Sequence, residues 1–186
     1  IALFHSSNNT FRENTLNGNV YNLGVYGYTL SAFNNSLDTS NTIEGKPIYY
    51  WINHKNEKVP IDAGFIALVS CENVIVEDLT LENNDPGILV AYSKRLFITE
   101  NSVTKNGWGI VLHESFDNLI TENNILNNEH GSIVALGALS NNNKIYHNNL
   151  SHCESYDSSN IWDDGYPSGG NYWSDYNGTD FYSGPY

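Results

Sequence analysis

The chain has 186 residues, 40 % hydrophobic and only 16 % charged, with a formal net charge of −13. That length supports one sizeable core and one domain; the negative surface repels phosphate backbones and argues against a nucleic-acid partner, and no apolar run approaches the ~20 residues that span a bilayer. The polar load is mostly asparagine, 29 residues, which disfavours helices, while 13 Tyr, 7 Phe and 4 Trp disfavour disorder.

The chain starts in a rung-like segment, IALFHSSNNTF, and contains no Met. The first recurring motif is FRENTL at 11–16, read as apolar-x-x-Asn-x-apolar. FNNSLD at 33–38 is a weaker copy with Ser36 in the Asn slot, and VEDLTL at 76–81 carries Leu79 there. ITENSV at 98–103, ITENNI at 120–125 and IYHNNL at 145–150 repeat it in full. The slots Asn14, Asn101, Asn123, Asn148 and Asn171 form a predicted asparagine ladder with a period near 22 residues. A second column, Leu3, Val25, Leu68, Val90 and Leu112, runs 11 residues ahead of the slots.

Two columns with one period predict an all-β parallel β-helix, a solenoid of about eight coils with strands stacked ~4.8 Å apart. Phe11, Val76, Ile98, Ile120 and Ile145 are expected to point into the bore. The slot asparagines are expected to hold a left-handed turn and to hydrogen-bond to the asparagine one coil away.

Residues 45–64, GKPIYYWINHKNEKVPIDAG, break the period and are expected to leave the rod as a hairpin. Its Tyr49, Tyr50 and Trp51 are candidate glycan-contacting aromatics. Residues 160–186, rich in Gly and aromatics, are expected to cap the C-terminal end of the rod. The organisation is then a single domain over 1–186, with coils over 1–159, cut from a longer chain. An uncapped first rung leaves strand edges that earlier coils would cover, or that support end-to-end self-association.

Glu77, Glu100 and Glu122 precede slot residues, with His147 continuing the series, and form one candidate cation column. Asp175, Asn177 and Asp180 in DYNGTD offer a second oxygen-rich loop at spacings Ca²⁺ uses; no cofactor is required by the sequence. Asn8, Asn34, Asn149 and Asn177 head Asn-x-Ser/Thr sequons and are candidate N-glycosylation sites. Cys71 and Cys153 fall on different rungs and columns, which argues against a disulfide. His147, His152 and Cys153 come nearest to a soft-metal donor set but read as surface residues. No catalytic residues are assigned: the two Arg and six Lys are spread over different columns, and the adjacent Asp163 and Asp164 sit in the cap.

The rungs NNTFREN, NLITENNILNN and GIVL, with the segments GKPIYYWIN and GYPSGGNYWSDYNGTD, resemble the NosD-like β-helix repeat family and its archaeal cell-surface members. The resemblance implies a right-handed helix of the carbohydrate-binding and sugar-hydrolase superfamily, located outside the cytoplasm. The expected function is a non-catalytic module of a cell-envelope or surface protein, structural or in contact with glycans or neighbouring envelope subunits. A polysaccharide lyase or glycosidase is the alternative, and periplasmic copper handling, which the family label implies, is the second.

Overall fold

A computed structural model describes residues 1–155 and 159–177. Short strands, mostly two to six residues long, follow one another around each coil, and equivalent strands stack in parallel. The long wall is built from Lys46–Ile52, Phe65–Val69, Ile88–Ala91, Trp108–His113, Gly131–Leu136 and Cys153–Ser155, side by side in that order. A second wall holds Ile75–Glu77, Phe97–Thr99, Leu119–Thr121 and Lys144–Tyr146. The third holds Thr80–Glu82, Ser102–Thr104, Asn124–Ile125, Asn149–Leu150 and Tyr172–Trp173. The chain is thus an all-β parallel β-helix of about eight coils.

The bore follows from the period. Val76, Ile98, Ile120 and Ile145 stand in register on the second wall, each fully buried. Leu68, Val90 and Leu112 do the same on the long wall. Identical periodicity puts like side chains on like side chains, so one apolar column fills each wall.

The slot asparagines work differently from the sequence expectation. Asn101, Asn123 and Asn148 are not left-handed; the residue before each one is, with Glu100, Glu122 and His147 at φ of 55, 58 and 57°. The turn is taken by that preceding residue, which points the asparagine inward. Asn123 Oδ1 then accepts from the backbone N–H of Asn101 at 3.0 Å and from its Nδ2 at 2.9 Å. The Leu79 N–H alone donates to Asn101 Oδ1, while the same two bonds tie Asn148 to Asn123 and Asn171 to Asn148. Buried corner backbone must find partners, and the amide supplies both an acceptor and two donors. Three more ladders serve the other corners: Ser93–Ser115–Ser140, Asn118–Asn143–Asn160 and Asn84–Asn106–Asn128.

The first 43 residues depart from the expected register. Asn14 stacks on Asn41, 27 residues on, and Ser36 pairs with Thr10. Phe11 is half-buried beside Leu37 and lies outside the bore column. The first coils are longer than 22 residues, so a fixed period slips against them. These coils also sit elsewhere than at the end of the main bore. The strand Phe65–Val69 is buried on both faces: Ile66 and Leu68 fill the bore, while Phe65, Ala67 and Val69 face a second core. Leu3, Leu23, Val25, Phe33, Leu37 and Ile43 complete that core from the N-terminal coils, which therefore pack on the outer face of the long wall.

The chain reverses at Glu44–Gly45, both with positive φ, and Thr42–Ile43 pairs antiparallel with Lys46–Pro47. Left-handed residues at both central positions suit a two-residue hairpin. The stretch that follows does not leave the rod. Lys46–Ile52 is a rung of the long wall, and Lys55 and Lys58 bridge in parallel to Glu72 and Ile75. The expected excursion is a shortened coil entered through a hairpin.

At the other end Trp162 and Trp173 pack against the bore with ring centroids 5.9 Å apart. Tyr166, Tyr172 and Tyr176 are exposed. Phe181 and Tyr182 of the expected cap lie outside the described residues.

Candidate functional site

The N-terminal coils cover only part of the long wall's outer face. Its central outward column reads Tyr50, Ala67, Leu89, Val111, Val134 and Glu154 from rung to rung. Ala67 and Leu89 are sealed by the second core. Beyond them lies a cleft of about 650 Å³ lined by Leu89, Val111 and Val134, of which Val111 is half-buried and the other two buried. That volume suits a small ligand or part of a chain.

One rim comes from the N-terminal coils. Phe4 and Tyr26 stack at 4.6 Å and 10°, and His5 lies 4.8 Å from Tyr28. Phe4 and Tyr28 are among the most exposed large side chains, at 65 and 79 %. The opposite rim is Asp85, Trp108 and His130, the last two with ring centroids 5.9 Å apart. The rims are pinned together. Tyr26 donates its hydroxyl to Asp85 Oδ2 at 2.5 Å, and the Trp108 N–H donates to Asp85 Oδ1 at 3.3 Å. Two glycines permit this approach: a Cβ at Gly107 would lie 2.3 Å from Asp85 Oδ1, and one at Gly24 would lie 2.8 Å from the Asp85 carbonyl. Burial, and then the Asp85 carboxylate, push the Tyr26 hydroxyl far above its ordinary value. A second clasp joins the Tyr21 hydroxyl to Glu129, and Tyr21 is pushed up to about 12, first by burial and then by that carboxylate.

His113 closes the side of the cleft, packed 5.2 Å from Phe33 and 5.5 Å from Tyr92. Burial pulls its imidazole below the ordinary value, against the opposing pull of Glu114 and the Tyr28 carbonyl, so the ring is neutral at neutral pH. Its Nε2 is buried without a partner. Glu154, at the open end, faces His152 Nε2 at 3.1 Å. Two other hollows among the described residues, of about 450 and about 560 Å³, are lined chiefly by asparagine turns and present no comparable aromatic rim.

The residues singled out from sequence are scattered. Tyr49 and Trp51 are half-buried against the first coil of the bore, Tyr49 bonded to Asp62 and Trp51 stacked on His54 at 4.5 Å. Tyr50 points the other way, is 7 % exposed and donates to the Phe33 carbonyl at 2.7 Å. Strand alternation separates the three, so they form no common platform. In the acidic column Glu100, Glu122 and His147 do share a corner, but Glu77 stands one residue off. It lies opposite Thr99 and pairs with Lys58, and Asp78 takes the corner position. Asp175 and Asn177 are exposed, and Asp180 lies outside the described residues. Asn8, Asn34, Asn149 and Asn177 are all exposed, and Asn8 and Asn34 are neighbours on stacked turns, 3.3 Å apart through their side chains. None of the cleft residues was singled out from sequence, although the apolar outward column left a signal in GILV, GIVL and GSIVAL.

A family model described as periplasmic copper-binding protein (NosD) matches residues 1–178. The chain belongs to the NosD family. A family of periplasmic β-helix proteins supports an extracytoplasmic location, and no helix among the described residues is long and apolar enough to cross a membrane. No curated protein and no solved structure matches the chain.

The donor set of this NosD-family chain does not fit a resident copper ion. Among the described residues no three His, Cys, Asp or Glu side chains form a group able to hold a metal. Cys153 pairs with Ile133 and packs on the bore, so alternation turns its thiol inward, away from His152 and Glu154. Burial pushes the Cys153 thiol up to about 12 and Cys71 up to about 11, which disfavours the thiolate that binds metal. His147 lies 2.9 Å from the Ser168 carbonyl. Both cysteines are free.

Proposed function

We propose that the chain is a non-catalytic, glycan-contacting module of an extracytoplasmic β-helix protein, with the cleft on the outer face of the long wall as its contact surface. The observation that carries this reading is an apolar floor of Leu89, Val111 and Val134 between exposed aromatic rims, with carboxylate and imidazole groups at its edges. Sugar rings present apolar faces to aromatic side chains and hydroxyls to such polar groups, and few polar groups among apolar lining is the usual composition of a ligand site.

The arrangement disfavours hydrolysis. Glu154 pairs with Val134, two further strands from Leu89, while Asp85 precedes Leu89 on its own coil. Asp85 holds the Tyr26 hydroxyl and the Trp108 N–H, and Glu154 faces His152, so the two carboxylates serve separate partners on different coils. No Lys or Arg lines the cleft to serve as the base of a lyase.

The test is calorimetric titration of the purified chain with neutral and acidic oligosaccharides. Binding is expected to be lost in Trp108→Ala with the melting temperature little changed, since Trp108 is a partly exposed rim residue. Absence of binding to every glycan class refutes the reading.

A further inference from the structure

We infer that the cleft selects uncharged glycans and discriminates against acidic ones. This rests on the glycan reading above and adds the substrate class.

The charge preference comes from what lines the site. Asp85 stands on one rim and Glu154 at the open end, and the lining holds no Lys or Arg to offset them. The histidines facing the cleft are His5, His113 and His130. His113 is kept neutral by burial, and the chain as a whole carries −13. A uronate carboxylate bound in this cleft would approach a like charge in a site partly shielded from water, with no Lys or Arg to offset it.

The experiment uses β-linked gluco-, manno- and galacto-oligosaccharides of one to five units, with the C6-oxidised counterpart of each trisaccharide, titrated calorimetrically at low and high salt. The expected result is measurable binding of at least one neutral trisaccharide. Its oxidised counterpart should bind at least about tenfold more weakly, and Glu154→Gln should narrow that gap. Added salt should narrow it as well in the unmodified chain, by screening, whether or not the variant folds. Equal or tighter binding of the acidic trisaccharide overturns this inference and leaves the glycan reading standing. No binding of either class overturns both.

Discussion

Replacing Asn123 with leucine tests what holds the coils in register. Asn123 is 1 % exposed, and leucine is nearly its size, so the change alters hydrogen bonding more than volume. Its Oδ1 serves the N–H and the Nδ2 of Asn101, and its own Nδ2 serves the carbonyls of Ile98 and Thr121 and Asn148 Oδ1. Leucine leaves the buried Asn101 N–H without its acceptor and removes a donor from two corner carbonyls. At ~1–3 kcal/mol for each buried group left unsatisfied, partly offset by apolar burial, the loss comes to about 3–5 kcal/mol. That is a large share of a total stability of roughly 5–15 kcal/mol. The chain holds its own control: Leu79 fills the same slot, but residues 60–63 before it form a turn, with the Ala63 N–H on the Pro60 carbonyl, and no earlier rung donates into that position. The assay is urea unfolding, where the midpoint should fall by on the order of 2 M at constant slope, together with amide exchange, where Asn101 should lose protection. A loss below ~1 kcal/mol with the Asn101 amide still protected would refute the argument.

The tyrosine clasps predict an alkaline weakness. Tyr21 is held up at about 12, above its ordinary 10.0, and Tyr26 is raised too, so their neutral forms are favoured by the fold. That stabilisation is complete below the ordinary value and is lost as pH climbs toward the raised ones. Melting temperature should drop over that window, and Tyr21→Phe with Tyr26→Phe should flatten the drop; an unchanged profile in the double variant counts against the clasps. Burial of both thiols, raised to about 11 and about 12, predicts that a thiol reagent near pH 8 labels Cys71 and Cys153 only after denaturation, as read by intact mass. Asn8 and Asn34 are too close for two glycans at once, so glycosylated material should show at most one of the pair occupied; peptide mapping with both modified on one molecule would exclude this.

From about residue 65 onward the fold is legible in the sequence because the coils keep nearly one length. Val76, Ile98, Ile120 and Ile145 recur at almost constant spacing and fall in one column. The same reading slips by one at Glu77, which stands two places before the Leu79 slot, while Asp78 stands one place before it and takes the corner. It slips further before residue 43, where Asn9 and Asn35 stack 26 residues apart and Asn14 and Asn41 stack 27 apart. The role of the asparagines was only half visible. A recurring Asn signals a corner, but only backbone angles show that the left-handed residue is Glu100 or Glu122 and that the amide turns inward.

The cleft was illegible for a different reason. Periodicity tells which side chains face the bore, and says nothing about where a distant segment docks on the outside. Phe4, Tyr26, Asp85, Trp108 and His130 meet only because the first coils fold back onto the long wall. One sequence feature does require such a cover. A strand with one wet face alternates apolar and polar residues, whereas FIALV and ILVA are apolar throughout, as strands buried on both faces must be. The outward column then runs from the buried Ala67 and Leu89 through the half-buried Val111 and the buried Val134 to Glu154. The core and the proposed contact surface therefore fall on opposite faces of the same strands. Ile110 and Leu112 fill the bore while Val111 between them floors the cleft, so the outward residue is free to follow a ligand without disturbing the columns that hold the rod together.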